Sequence, residues 1–274
     1  MSVALDTRTD TRTAIAAPAD RAVSTLTSTA VFVGRSIRHT LRNVEALTMA
    51  IVLPIMLMLL FTYVFGGAID SGGDYVNYVV PGIILLCAGF GSSSTAVDVA
   101  DDMSNGIVDR FRTMPLRANG VITGHVVASL ARNLLATGVV IGVALLVGFR
   151  PTAGPAQWLG AIGMIALFIL AITWLYAAIG LAARTAAAAS GYGFALLFVP
   201  YLSSAFVPTD TMPGWLQWFA DNQPITPVIE TIRGLLFGTE IGDRAWWAVG
   251  WCLAITIGAY IWAAWLFRRK AGRR

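Results

Sequence analysis

Apolar residues fall in six long runs, at 46–65, 78–100, 126–147, 158–181, 190–207 and 246–267, and the stretches between them hold most of the charged and turn-forming residues. A bilayer crossing needs about 20 predominantly apolar residues in one helix. The pattern therefore predicts an all-α polytopic membrane protein with six transmembrane helices. Ahead of the first run, Ala30, Gly34, Ile37, Leu41 and Val44 recur at helical spacing, while Arg35, Arg38, Arg42 and Glu45 take the other face. That spacing predicts an amphipathic helix at a membrane surface, within 28–48, which anchors the first span, contacts a partner through its arginines, or does both. The connection 208–245 runs 38 residues without being a full span, and prolines divide it into aromatic and apolar stretches. Two short re-entrant outer helices, near 213–219 and 224–236, satisfy that pattern, because backbone in lipid must keep its hydrogen bonds inside helices. Residues 1–27, polar and without an apolar core, read as a disordered tail, 49–267 as the six-span domain and 268–274 as a basic tail.

Charge orients this picture. Only 12% of residues are charged against 57% hydrophobic. Arginines gather before the first run, in the connection between the second and third, at Arg184 and in the tail after 267, whereas the other side has only Arg150, Arg233 and Arg244. Cytoplasmic loops retain Lys and Arg, so both termini are expected in the cytoplasm. The net charge of +4 follows from this asymmetry and gives no reason to expect a nucleic-acid partner. Cys87 and Cys252 fall inside predicted spans and read as small packing residues.

Candidate chemistry is sparse. Lys270 is the single lysine and Ala-Gly follows it, so the chain holds no G-x-x-x-x-G-K-[S/T] phosphate loop. Nucleotide-driven work in that manner requires a separate subunit. His39 and His125 read as isolated, no Cys/His cluster is present, and Asp101-Asp102 lacks a second acidic motif on its side, so neither a metal site nor a membrane transferase is expected. The connection after the second span is the most informative stretch: Ile107, Phe111 and their apolar neighbours share one side of a short helix ended by Pro115, among Asp101, Asp102, Asp109, Arg110 and Arg112. Apolar side chains in a polar turn suit a docked protein partner; packing on the ends of the spans is the other reading. Asp98 and Arg132 are expected to form a structural pair between the second and third spans, and Glu230 and Arg233, three apart, a second one. Phe61, Ser93, Tyr201 and Ser204 stand for the aromatic and serine-bearing faces of spans one, two and five as a pathway, although helix packing explains such serines as readily. A secondary transporter or channel, the alternative, relies on mid-membrane charge or discontinuous helices near the midplane; here both intramembrane charges fall near one end.

As a set, G-I-V-D-R-F-R-T-M-P-L-R at 106–117, V-L-P-I-M-L-M-L-L-F-T-Y-V-F-G-G-A-I at 52–69, Tyr78 with Pro81-Gly82, and the run from M-P-G-W at 212–215 through N-Q-P-I-T-P at 222–227 to I-R-G at 232–234 resemble permeases of type-2 ABC exporters. The likeness is strongest to the daunorubicin-resistance branch of actinobacterial exporters and runs from about residue 31 to 267. It implies a multi-pass subunit of the bacterial plasma membrane that pairs with a second permease, as a homodimer or heterodimer, and with two copies of a cytoplasmic ABC ATPase. ATP and magnesium would sit on that ATPase and no cofactor on this chain. The resemblance also implies that residues 101–111 form a coupling helix in a groove of the ATPase, that the amphipathic helix with Arg38 and Arg42 supports that interface, and that the outer helices cap the pathway for a hydrophobic, drug-like or lipid-like compound.

Sidedness is directly measurable. Single cysteines placed in 105–118 and in 238–243, in a chain freed of Cys87 and Cys252, are expected to react with a membrane-impermeant maleimide from opposite faces of the bilayer. Labelling of both from one face contradicts the predicted path.

Overall fold

The computed structural model describes residues 44–69, 75–104 and 119–271. Helix α1, Val44–Leu59, passes through a π-helical stretch, Leu60–Phe65, into the short α2, Gly66–Ile69. The long helices α3, Tyr75–Ser104, α4, Asn119–Val147, and α5, Pro155–Ala182, follow. Next comes α6, Ala186–Leu196, with 3₁₀ turns at Val199–Leu202 and Thr209–Thr211, then α7, Gly214–Asn222, α8, Ile225–Phe237, and α9, Arg244–Ala271. The fold is all-helical and the chain is a multi-pass membrane protein. Among the described residues, five helices are long and apolar enough to cross a bilayer: Ala50–Ala68, Tyr75–Ser104, Ile122–Val147, Pro155–Ala182 and Arg244–Arg269.

Helix α3 is the axis of the bundle. It packs against α1, α4, α5 and α6, and its small residues let neighbours approach to backbone contact. A Cβ on Gly82 would stand 2.8 Å from the Ala205 backbone, and one on Gly180 of α5 would run into the Ala96 carbonyl. In lipid, where burying apolar surface against another helix gains little over burying it in acyl chains, such close packing carries helix association. The other side of the bundle is formed by α9, which packs on α5 and α8.

Local signals explain the boundaries. Pro155 opens α5 where its missing N–H costs nothing, and the Gln157 side chain accepts a hydrogen bond from Gly154 N at 2.7 Å. Thr185 caps α6 by accepting from Ala188 N at 3.1 Å. Gly238, at φ 71°, takes the left-handed conformation that ends α8 and donates its N–H to Gly234 O.

The structure departs from six continuous spans at the fifth. The expected run 190–207 takes in the end of an 11-residue helix that starts at Ala186, a 3₁₀ turn and a further turn at 203–206, and its helical part, Ala186–Leu202, is too short to count among the spans. The reason is local: Pro200 brings no backbone donor to the turn, and Ser203 turns its hydroxyl back on Pro200 O at 2.5 Å. The broken segment nevertheless follows α3 antiparallel along its length. Ala189 shares a buried cluster with Ala96 and Ala100, Leu197 lies at Gly89, Ala205 at Gly82 and Phe206 at Tyr75. At 1.5 Å per residue that is about 37 Å of α3, against about 30 Å of bilayer hydrocarbon. The segment thus covers the depth of a sixth span in broken form. The two outer helices occur close to their expected places, as α7 and α8. Of the amphipathic stretch, 44–48 continues without a break into α1, and Arg38 and Arg42 lie outside the described residues.

These contacts predict unequal glycine substitutions. Gly180→Leu is expected to lower the stability of the detergent-solubilised protein by about 1–3 kcal/mol through overpacking. Gly163, with nothing within 4 Å of an added Cβ, is expected to accept alanine with a change under about 1 kcal/mol. Both are read as shifts in thermal unfolding, and equal shifts contradict the packing described.

Candidate functional site

Two polar assemblies stand out in this apolar bundle, one toward the end that carries Arg268 and Arg269, here the basic end, and one at the opposite end. The first joins α3 to α4. Arg132 is 7% exposed, and its Nη2 donates to Gly91 O at 2.9 Å, to Ser94 Oγ at 2.6 Å and to Ser129 Oγ at 3.5 Å. The Asp98 carboxylate acts on the same guanidinium electrostatically. One residue on, Asn133 Nδ2 donates to Ser92 Oγ at 3.1 Å and to Ser129 Oγ at 3.2 Å. Thr95 Oγ1 donates to Ser129 Oγ at 2.8 Å, and Ser92 shares a hydrogen with Thr173 of α5 at 3.0 Å. Nearer the basic end, His125 Nε2 and Asp102 Oδ2 stand 2.8 Å apart.

The second assembly holds the broken segment. Its backbone turns at 203–206 without entering a helix, and neighbouring side chains supply partners. Tyr75 Oη donates to Phe206 O at 2.8 Å and Tyr78 Oη to Ser204 O at 3.0 Å. Gln223 Nε2 donates to Leu202 O at 2.8 Å, and Ser204 N donates to Thr226 Oγ1 at 3.3 Å. Arg233 completes the clasp: its Nη2 donates to Tyr78 O at 3.0 Å and Ser204 O at 3.1 Å, and its guanidinium lies 3.9 Å over the Tyr78 ring. Burial pushes the Arg233 guanidinium down, opposed by the Tyr78 ring hydroxyl and Glu230. Ser204 Oγ, Gln223 Oε1 and Arg233 Nε are buried without a partner, so this joint is less fully satisfied than the first, at a cost of roughly 1–3 kcal/mol for each orphaned group.

The pairing expected for Arg233 is therefore corrected. Glu230 makes its salt bridge with Arg244, Nε to Oε2 at 3.1 Å, and Arg233 acts on it only at longer range. The spacing of three on α8 permits contact, but the carbonyls of Ser204 and Tyr78 and the Tyr78 ring claim the guanidinium. Burial pushes the Glu230 carboxyl above the usual range, against the pull of Arg244. Beside this pair is a cavity of about 700 Å³, lined by Asp221, Glu240, Trp247 and Trp251 among others. His125, read as isolated, is the partner of Asp102 instead. The sign of that pairing was the helical stripe His125, Ser129, Arg132, Asn133 and Thr137 on α4.

Of the four residues chosen for a pathway, three converge. Phe61 stacks on Phe206 at 4.2 Å between centroids, Tyr201 stacks on Phe206 at 5.1 Å, and Ser204 lies two residues away. The run extends through Phe198 to Phe194 and through Phe61 to Phe65. Ser93 is elsewhere, bonded to Phe90 O and close to Gly193. Asp101 is exposed and Asp102 half-buried at the end of α3. Ile107, Asp109, Arg110, Phe111, Arg112 and Pro115 lie outside the described residues. Among the described residues no group of three or more His, Cys, Asp or Glu is arranged to hold a metal ion, and both cysteines are buried and free.

Comparison with known proteins adds a family. Residues 27–237 match the model of the ABC-2 type transporter. A daunorubicin resistance ABC transporter permease protein of Streptomyces coeruleorubidus is 30% identical over 210 residues, covering 76% of this chain and 73% of the relative. A probable doxorubicin resistance ABC transporter permease protein of Mycobacterium tuberculosis strain H37Rv is 29% identical over 221 residues, 78% of this chain and 75% of the relative.

The clasp predicts an order of damage. Tyr78→Phe removes one hydrogen bond and is expected to cost about 1 kcal/mol. Arg233→Met strips a charge-assisted donor from two carbonyls and is expected to cost about 2–4 kcal/mol. Thermal unfolding of the purified protein reads both, and a milder Arg233→Met refutes the role given to the guanidinium.

Proposed function

The chain belongs to the ABC-2 type transporter family, in the branch of daunorubicin and doxorubicin resistance permeases, and from that premise we propose that it is the membrane subunit of an ATP-driven exporter. The observation that carries this reading is the family match over 27–237 in a chain whose lone lysine leaves it without a phosphate loop. ATP and its magnesium then belong to a separate ABC ATPase, in two copies, beneath two permease subunits in the plasma membrane.

The basic end faces the cytoplasm in this reading, because arginines resist translocation. The connection 105–118 hangs there between α3 and α4, and Ile107, Phe111 and Pro115 make it the coupling helix, with Asp101, Asp102, Asp109, Arg110 and Arg112 around it. Arg38 and Arg42 flank the same interface. Closure of the ATPase dimer on ATP moves this helix, and the bundle follows by shifting between two arrangements of the same packed helices. The opposite end is the exit. There α7 and α8 cover the broken segment, and the aromatic run from Phe194 to Phe65 offers ring faces to an apolar or amphipathic cargo. The drug names of the relatives support a hydrophobic or amphipathic cargo of drug type, and a lipid-like compound is the other cargo of that chemistry.

Phe111→Ala and Asp109→Arg test the proposal. Each is expected to weaken co-purification with the ATPase and to lower ATP-driven export by about tenfold, with membrane insertion and thermal unfolding unchanged. Normal export by both variants overturns the coupling assignment.

A further inference from the structure

The polar contacts of α3 are not spread evenly along it. Toward the basic end they form successive ties to α4: Asp102 with His125, Thr95 with Ser129, Gly91 O and Ser94 with Arg132, and Ser92 with Asn133. Beyond Thr137, whose hydroxyl reaches Cys87 Sγ weakly at 3.9 Å, the faces that meet are apolar, with Val79, Val80, Ile83 and Ile84 on α3 and Val140 and Ala144 on α4. The tied half is the half from which the 105–118 connection hangs.

Register is fixed in this half by shape as well as by bonding. Asn133 Oδ1 lies so close to Gly91 that any Cβ there would collide with it. Sliding α3 against α4 by one residue, about 1.5 Å, would break every tie together and leave Arg132 unpaired at membrane depth, where an unpaired cation is costly. Ser92 extends the hold to α5 through Thr173. The clasp around the broken segment differs in degree, since three of its buried polar atoms lack partners, against Asn133 Oδ1 alone among the ties.

We propose that α3 and α4 move as one lever during transport, with Arg132 and Asn133 as the positioning residues that keep the two arms in register, so that a push on the 105–118 connection travels to the opposite end undivided. This rests on the export reading above. Were the arms free to slide, displacement of the connection would be absorbed between them. Tied, they deliver it to the broken segment that lies along α3.

A disulfide across the ties tests the lever. Thr95 Oγ1 and Ser129 Oγ are 2.8 Å apart, so Thr95→Cys with Ser129→Cys, in a Cys87→Ala, Cys252→Ala background, brings two thiols within bonding reach. In the complex with its ATPase, the oxidised pair is expected to export at the rate of the background protein. Asn133→Ala is expected to lower export about tenfold, the scale of coupling lost along packed networks, while ATP hydrolysis continues, and the same disulfide added to Asn133→Ala is expected to restore the ratio of export to hydrolysis. A merely structural residue would not be rescued in that ratio by a covalent tie. Export blocked by oxidation and recovered with reductant shows the arms parting, and overturns the lever. Should Asn133→Ala fail to fold, the oxidised pair alone decides. Failure of the uncrosslinked background protein to export with its ATPase sinks the export reading instead.

Discussion

Lipid rewards the contact of two apolar helices hardly more than it rewards each helix alone, so the bundle must be held by close backbone approach and by polar groups that find partners inside the protein. Helix α3 answers both requirements. Gly82 and Gly91 admit neighbours that a side chain would exclude, and Gly89 lets Leu197 pack tightly. Its serines, threonine and aspartates meet Ser129, Arg132, Asn133, His125 and Thr173. The remaining helices take their places from it: α1, α4, α5 and α6 pack on its sides, and α9 lies outside α5 and α8.

The same constraint explains why an irregular segment survives at this depth. Non-helical backbone facing acyl chains would leave carbonyls and amides bare. At 203–206 those groups are instead enclosed by α3 and α8, with Tyr75, Tyr78, Gln223, Thr226 and Arg233 standing in for the missing helix. Such a joint is held by side chains that can exchange partners, whereas a helix is held by its own backbone. A transporter that alternates between arrangements needs a joint of the former kind.

The long helices were readable in the sequence because their apolar runs are long and carry few charges. The broken fifth segment was not, since 190–207 is as apolar as a true span and hydropathy is blind to where a proline turn and two serines redirect the backbone. Arg132 and Asp98 were legible as a buried charge with its neighbour. The bonds of Arg132 to Gly91 O and Ser94 depended on how α3 and α4 face each other, which no single-chain periodicity supplies. Arg233 shows the limit most clearly: spacing on α8 suggested Glu230, while the group that claims it belongs to a segment 29 residues earlier. The stripe from His125 to Thr137 was legible, and its regular spacing at one face of α4 is the signal that a lone-histidine reading passed over.

Reconstitution of this chain with an ABC ATPase encoded beside it, in liposomes, followed by the transfer of a labelled amphipathic drug or lipid across the bilayer with and without ATP, addresses the reading most directly. A stable complex that moves cargo only when ATP is hydrolysed is the result expected. Cargo movement by this chain alone, indifferent to ATP and driven by an ion gradient, would contradict it and make the chain a secondary transporter.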